Sequence, residues 1–281
     1  MKAYVMDAFS EKLFGGNQAG VALPERPLSD AVMQQIAAEF KHSETAFVTV
    51  NDDGSVTLRY FTPAGEVDLC GHATIASFAL LRQEGLIADG SHIAHTKASD
   101  LNIGVSGGTV WMDMAPPKLI RKLTAEEWPE LYDAYGLTVD HRPDGLEPWI
   151  VSTGLADIMM PVRDHETLLQ AVQNEAAVRR YDVTGVHMFC PGGEDCTAYC
   201  SNYAPLYDIP EECATGTSNG ALTYYLYLHG MVRPEEENLF VQGEHMHRPS
   251  QIRSRLYDDG GTVTVRIGGS AVMSMRCDIK L

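Results

Sequence analysis

Three absences narrow the classes of protein to which this sequence can belong. No stretch is apolar over the roughly 18 residues that a membrane-spanning helix needs, so we expect no membrane partner. Basic residues are few, since 21 Lys and Arg stand against 38 Asp and Glu, a formal net charge of −17. Such a chain is repelled by phosphate backbones, and we expect no nucleic-acid partner. The start of the sequence reads as a β-strand rather than a signal peptide, which predicts a cytoplasmic protein.

Motifs that bind metals or cofactors are equally scarce. Six cysteines are present, and three of them, Cys190, Cys196 and Cys200, fall close together. Their spacing contains no C-x-x-C pair of the kind that holds structural zinc, so the segment is better explained as a turn between two strands with buried thiols. Because no cofactor fingerprint is present either, we expect neither a metal nor a cofactor.

Two segments of the sequence lead into helices rich in small residues. The pattern of apolar residues predicts these helices over residues 71–83 and 215–228. Acidic residues and then a cysteine precede each helix, Cys70 in the first case and Cys213 in the second. The two cysteines lie about half a chain length apart, and this similarity predicts a duplicated fold.

The length of 281 residues also fits two domains of ordinary size. We place them at residues 1–120 and 121–281, and the last strand could return to the first domain. Alternating and β-branched runs predict strands around both helices, which gives an α/β (α+β) fold class.

The start of a helix is suited to binding an anion. Its first N–H groups have no intrahelical partner and carry a partial positive charge, and small residues let a carboxylate approach them. We therefore expect a small carboxylate-bearing substrate at the two helix starts. The candidate contacts there are Gly71, Ala73, Thr215 and Gly216. A thiol in the same field ionises more readily, so Cys70 and Cys213 could remove and return a proton from opposite faces. Alternatively, both cysteines are buried packing residues.

Motifs that are specific in combination run along nearly the whole chain. They are Asp7-Ala-Phe-Ser, Phe14-Gly-Gly-Asn-Gln-Ala-Gly, Ser43-Glu-Thr-Ala-Phe-Val, Arg59-Tyr-Phe-Thr-Pro-Ala-Gly-Glu-Val-Asp-Leu-Cys-Gly-His-Ala-Thr, Val151-Ser-Thr-Gly-Leu, Ala214-Thr-Gly-Thr-Ser-Asn-Gly-Ala and Gln242-Gly. Together they resemble the phenazine-biosynthesis isomerase-like (PhzF-like) family. The resemblance implies the diaminopimelate epimerase type of fold, with two similar domains that each wrap a curved sheet around a central helix. It also implies cofactor-independent isomerisation and a homodimer.

The resemblance assigns roles to individual side chains. Glu44 matches the general acid and base of the family, which shifts a proton in a small cyclic amino acid. His72 matches the histidine of the Cys-Gly-His segment in the substrate site. Asn17 matches a loop on the carboxylate side of the substrate.

Several positions depart from the family pattern around the second helix. Glu212 stands where the family usually has aspartate, and Thr217 where it usually has serine; both are candidates for substrate binding. Cys213 replaces a proline, and Ser201 stands where an arginine is often found. In racemases and epimerases of the same fold, cysteines lie at both helix starts, and Cys70 with Cys213 suggests that arrangement.

Three functions are consistent with the sequence. The first is an amino-acid racemase or epimerase that uses Cys70 and Cys213 as its two bases. The second is a proton-shuttling isomerase of a small cyclic amino acid, with Glu44 as general acid and base. The third is a non-catalytic relative that binds a small acid.

Overall fold

The secondary structure consists of runs of β-strands with a few helices between them. The computed structural model describes residues 1–173, 181–207 and 209–281. The strands of the first part are β1 (Lys2–Ala8), β2 (Asn17–Leu23), β3 (Glu44–Val50), β4 (Val56–Phe61), β5 (Glu66–Val67), β6 (Gly90–His95), β7 (Asp100–Ser106) and β8 (Thr109–Asp113). The later strands are β9 (Lys118–Lys122), β10 (Trp149–Ser152), β11 (Ala156–Pro161), β12 (Gly185–Pro191), β13 (Ala198–Ala204), β14 (Ile209–Glu212), β15 (Glu237–Gln242), β16 (Ser250–Asp259), β17 (Thr262–Gly269) and β18 (Ala271–Asp278). The described α-helices are α1 (Asp30–Phe40), α2 (Gly71–Gln83), α3 (Trp128–Asp133), α4 (His165–Gln170) and α5 (Gly216–Leu228).

Internal contacts divide the chain into two units. Unit 1 comprises Met1–Asp113 and Gly268–Leu281, and unit 2 comprises Met114–Ile267. The sequence placed the boundary after residue 120, whereas the contacts divide the chain after Asp113. The final strand, β18, belongs to unit 1 because it pairs with β1.

The sheet of unit 1 mixes antiparallel and parallel pairs in a fixed order. Strand β1 runs antiparallel to β2, β2 parallel to β3, and β3 antiparallel to β4. Strand β4 then runs parallel to β6, which is antiparallel to β7. The short strand β5 pairs with β4 just before α2 begins.

Helix α2 forms the centre of unit 1. It packs against β1, β2, β3, β8 and β18, and every residue from His72 to Leu81 is buried. A helix that is buried on all sides needs partners for its polar groups. The hydroxyls of Thr74 and Ser77 supply their own, since they donate to the carbonyls of Cys70 and Ala73 at 2.7 and 2.6 Å.

Unit 2 repeats this order of strands. Strand β10 is antiparallel to β11, β11 parallel to β12, β12 antiparallel to β13, β13 parallel to β15, and β15 antiparallel to β16. The short strand β14 pairs with β13 just before α5, as β5 does before α2. Helix α5 packs against β10, β11, β12 and β16 and is buried over most of its length. The predicted fold class of two similar domains, each built on a central helix, is therefore confirmed.

The helices of the described residues are all short or interrupted by polar groups. None of them is long and apolar enough to cross a membrane.

Candidate active site

Three side chains of unit 1 converge at the start of α2. Glu44 is the first residue of β3, Cys70 is the N-cap of α2, and His72 is the second residue of the helix. The Oε2 atom of Glu44 lies 3.2 Å from Nε2 of His72. The Sγ atom of Cys70 lies 3.5 Å from Nδ1 and 3.8 Å from Nε2 of the same ring. The prediction that Cys70 begins the first helix is confirmed. We call Glu44, Cys70 and His72 the triad.

The fold brings these residues together although Glu44 is distant from the other two in sequence. Strand β3 lies beside β2 in a parallel pair, with Glu44 opposite Ala19 at the first position of the ladder. Helix α2 packs against both strands. The beginning of β3 therefore meets the beginning of α2, and the side chains of Cys70 and His72 are each only 7% exposed there.

Burial and mutual contacts set the charges of the triad. Burial alone would raise the pKa of Glu44, but contacts with His72, Ser43 and Cys70 outweigh it and hold this pKa below its ordinary value of 4.5. Burial also opposes the charged form of His72, yet Cys70 and Glu44 raise the pKa of the imidazole well above 6.5. For Cys70 burial dominates and raises the pKa of the thiol. The carboxylate of Glu44 and the neutral thiol of Cys70 are thus the favoured forms, and the charge of His72 depends on both neighbours.

Further residues of unit 1 lie on the elements that carry the triad or on the strand beside them. Ser43 was not among the sequence candidates, but its Oγ lies 3.5 Å from Nε2 of His72. Its position directly before Glu44 in the matching motif was the available signal. Ala73 is buried in the first turn of α2, and its backbone N–H acts to lower the pKa of Cys70 against the larger effect of burial. Gly71 opens the helix, and Asn17, 7% exposed, opens β2.

The corresponding helix start in unit 2 carries hydroxyl and amide groups. Thr215 is the N-cap of α5, and its Oγ1 donates to Oε2 of Glu212 at 2.5 Å. Gln242, fully buried, donates through Nε2 to the carbonyl of Glu212 at 2.6 Å and to Oγ1 of Thr215 at 3.1 Å. Gly216 is the first residue of α5, and the carbonyl of Thr217 accepts a 2.8 Å hydrogen bond from Thr153. The sequence candidates Glu212 and Thr215 are thus in direct contact.

Cys213 lies just before the second central helix. The predicted helix over residues 215–228 is confirmed, since α5 covers Gly216–Leu228 with Thr215 as its N-cap, and Cys213 precedes this cap by two residues. The side chain of Cys213 is 4% exposed, and its carbonyl accepts a 2.6 Å hydrogen bond from Oγ of Ser250. By helix position, Cys70 corresponds to Thr215, whereas Cys213 belongs to the segment between β14 and α5.

Within the described residues, the triad is also the one group of three side chains suited to hold a metal ion. One potential ligand atom from each residue lies within 4.8 Å of the other two. The set of carboxylate, imidazole and thiol can thus either transfer protons or coordinate a cation.

Comparison with known proteins supports an enzymatic role. An uncharacterized isomerase of Deinococcus radiodurans is 33% identical over 273 residues, which cover 92% of this chain and 88% of that protein. A PhzF-family phenazine biosynthesis protein of Bacillus anthracis superimposes with a TM-score of 0.89 at 26% identity, covering 100% of this chain and 99% of the other. A hydroxyproline epimerase of Agrobacterium vitis shares the fold, with a TM-score of 0.61 at 13% identity over 99% and 90% of the two chains.

The family assignment rests on most of the sequence. The model of the phenazine biosynthesis-like protein family (PhzC-PhzF) matches residues 6–277. This range includes the triad, both central helices and all the motifs that carry the resemblance. The chain therefore belongs to the phenazine biosynthesis-like (PhzC-PhzF) family and is an enzyme of the isomerase class.

Proposed function

We propose that this protein is a cofactor-independent isomerase that moves one proton within a small, carboxylate-bearing cyclic amino acid. Glu44 is the general acid and base. The observation that carries the proposal is the grouping of Glu44, Cys70 and His72 at the start of α2. Glu44 is the member of the triad that is ionised and can accept a proton at neutral pH. Its pKa is lowered, whereas the pKa of the Cys70 thiol is raised, which keeps that thiol protonated.

The reaction needs a group that first accepts and then returns a proton. The carboxylate of Glu44 removes a proton from a carbon next to the unsaturated system of the substrate, and the C–H electrons move into that system. The neutral carboxyl then donates the same proton to the carbon at the other end, and the double bond shifts. The imidazolium of His72, 3.2 Å from Glu44, stabilises the carboxylate between turnovers.

The start of α2 offers a place for the carboxylate of the substrate. Cys70 occupies the N-cap, and its side chain forms no capping hydrogen bond within the described chain. The N–H groups of the first turn and the partial positive charge of the helix therefore favour an anion close to Glu44. Small residues, Gly71 and Ala73, let such an anion approach the backbone.

The alternative is a racemase or epimerase that uses Cys70 and Cys213 as its two bases. Cys70 supports it, because this thiol is the N-cap of a central helix and contacts a histidine. The raised pKa of Cys70 weighs against it, since a base must be ionised before it accepts a proton. Cys213 weighs against it as well, because the N-cap of α5 is Thr215.

Proton exchange with solvent separates the two functions. We would incubate the protein in deuterium oxide with L- and D-amino acids, including proline, and with unsaturated cyclic amino acids. Proton magnetic resonance then follows loss of the exchangeable C–H signal and appearance of product. Glu44→Gln should lower the rate by about 10²–10⁴-fold, as expected on loss of a positioned proton-transfer group. Cys213→Ser is the matched control and should retain most of the activity.

The opposite result would reject the proposal that Glu44 is the general acid and base. If Cys213→Ser abolishes inversion at the α-carbon while Glu44→Gln remains near the wild-type rate, the two-cysteine mechanism is correct.

The predicted homodimer is tested separately by sedimentation equilibrium, because a monomeric mass at micromolar concentration would contradict it.

A further inference from the structure

The loop between β1 and β2 carries two exposed apolar side chains. Leu13 is 52% exposed and Phe14 is 63% exposed. We propose that Phe14, with Leu13 beside it, is a specificity-determining residue that contacts the ring of the substrate and selects a ring with an apolar outer face. This inference rests on the proposed function, because it names the part of a cyclic amino acid that the loop would contact.

The backbone of the loop holds Phe14 in a conformation that aromatic residues rarely adopt. The N–H of Gly15 donates to the carbonyl of Lys12 at 3.3 Å, so these residues enclose a β-turn with Phe14 at its third position. The φ of Phe14 is +66°, which a type II turn usually reserves for glycine. An exposed apolar side chain alone is ordinary, but a strained backbone that presents it points to a function.

A buried carboxylate fixes the turn from inside unit 1. Oδ2 of Asp7, a fully buried residue of β1, accepts a 2.9 Å hydrogen bond from the N–H of Phe14. The hydroxyl of Ser10 accepts from the N–H of Lys12 at 3.1 Å and donates to the carbonyl of Lys12 at 2.8 Å. The exposed position of the two apolar side chains is therefore a property of the fold.

The pairing of the strands places this loop at the end of the sheet where the triad lies. Ala8, the last residue of β1, is opposite Asn17, the first residue of β2. Strand β2 runs parallel to β3, and its Ala19 is opposite Glu44, the first residue of β3. Because β2 begins before the partner of Glu44, the loop that precedes β2 lies beyond the start of β3, on the side of the triad.

The position of the loop indicates what covers it. Leu69 is 42% exposed and directly precedes Cys70, so a further apolar side chain adjoins the triad. A substrate whose carboxylate lies at the start of α2 has its ring left to meet these apolar groups. A hydroxyl on the outer face of that ring would lose water without gaining a partner. A protein partner is disfavoured, since two side chains supply far less than the roughly 800 Å² that each side of a stable interface buries.

Equilibrium binding tests the contact without turnover. The probes are cyclohex-1-ene-1-carboxylate, which has an apolar ring, and acetate, which has the same charge and no ring. Each is titrated into the full-length chain and followed by proton magnetic resonance. The wild type should prefer the cyclic carboxylate by at least about tenfold, since about 60 Å² of covered apolar surface at about 25 cal/mol per Å² corresponds to that ratio.

Variants assign this preference to Phe14. Phe14→Gly should remove most of it and leave the affinity for acetate unchanged, whereas Phe14→Leu, which keeps an apolar side chain, should retain it within about threefold. Leu86→Ala is the matched control, because Leu86 is 50% exposed in the same unit but lies after the opposite end of α2. It should leave the affinities for both probes unchanged.

Stability separates this role from a structural one. Glycine adopts a positive φ without strain, so Phe14→Gly should leave the midpoint of urea unfolding unchanged or raise it. In the isomerisation assay the same variant should raise KM by about tenfold and change kcat by less than about twofold, the pattern of lost substrate binding. A side chain kept for packing would instead lower the urea midpoint.

The two proposals can fail separately. The contact with the ring is overturned if the wild type shows no preference for the cyclic carboxylate, if Phe14→Gly keeps that preference, or if the urea midpoint of Phe14→Gly falls below that of the wild type. A preference that depends on Phe14, found together with a Glu44→Gln variant of full activity, would reject the proposed function and leave the contact with the ring intact.

Discussion

Two buried ionisable groups of unit 2 should make opposite contributions to stability as the pH changes. Asp157, on β11, accepts a 2.5 Å hydrogen bond from Ser218 in the first turn of α5. Burial outweighs this bond and raises the pKa of Asp157 from 3.8 to about 6. His187, on the neighbouring strand β12, contacts Asn202 at 3.0 Å, and burial lowers the pKa of its imidazole from 6.5 to about 4. Asp157 and His187 are 1% and 0% exposed.

The size of each contribution to the free energy of unfolding follows from the difference in pKa between the folded and the unfolded chain. For Asp157, the step from 3.8 to about 6 is worth about 3 kcal/mol at about 1.4 kcal/mol per pH unit. Between these values the folded chain binds the proton and the unfolded chain does not, so the free energy of unfolding falls as pH rises. For His187, the step from 6.5 to about 4 is also worth about 3 kcal/mol. Here the unfolded chain binds the proton, so the free energy of unfolding rises with pH over that range.

In the wild type the two contributions largely cancel between about pH 4 and pH 6, and single variants should reveal them. Relative to wild type, Asp157→Asn should gain about 3 kcal/mol as pH rises from 4 to 7. His187→Gln should lose a similar amount over the same range, and the double variant should follow neither trend. Urea unfolding at several pH values, read from tryptophan fluorescence to which Trp128 and Trp149 of the same unit contribute, measures these differences. A difference between Asp157→Asn and wild type that does not vary with pH would refute the reasoning.

Two further predictions concern the backbone and the thiols. Gly243 has φ +86°, and an added Cβ would lie 2.7 Å from the carbonyl oxygens of Cys213 and Arg248, so Gly243→Ala should destabilise the chain by well over about 1 kcal/mol in urea unfolding. Gly54, at φ +83° with nothing within 4 Å of an added Cβ, is the matched control, and an equal loss there would show that crowding is unimportant. Cys277 is the exposed cysteine and the other five are buried, so a chromogenic disulfide reagent should modify one thiol rapidly in the native protein. Cys277→Ser should remove that phase, and a second fast thiol would contradict the burial of the remainder.

The first helix and its cap could be predicted from the sequence because the signal is local. A run of small and apolar residues after Cys70-Gly71 specifies α2, and the structure begins the helix at Gly71 as predicted. The role of Glu44 came from a motif match alone. That it meets His72 depends on the parallel pairing of β2 with β3 and on the packing of α2 against both strands. Such contacts between distant segments are not encoded in any local pattern.

The second helix shows how far a match of residue types can be used. A cysteine followed by small residues occurs at both Cys70 and Cys213, and this match aligns the two segments by residue type. The backbone aligns them differently, because α5 begins only after two further residues and the shared feature is a cap followed by glycine, Cys70-Gly71 and Thr215-Gly216. The position of a residue relative to the start of the helix determines whether its side chain lies at the helix cap. A match of residue types alone does not establish that position.

The duplicated fold is therefore asymmetric in its chemistry. Glu44 occupies the first position of the parallel ladder between β2 and β3, and Gly185 occupies the same position between β11 and β12. The cap of α2 is the thiol of Cys70, whereas the cap of α5 is Thr215, whose hydroxyl is a far weaker acid and already donates to Glu212. Inversion at carbon requires an acid or base on each face of the substrate, but a proton shift along one face requires a single group. In the proposed function the triad of unit 1 supplies that single group, because the carboxyl that removes the proton is also the group that returns it.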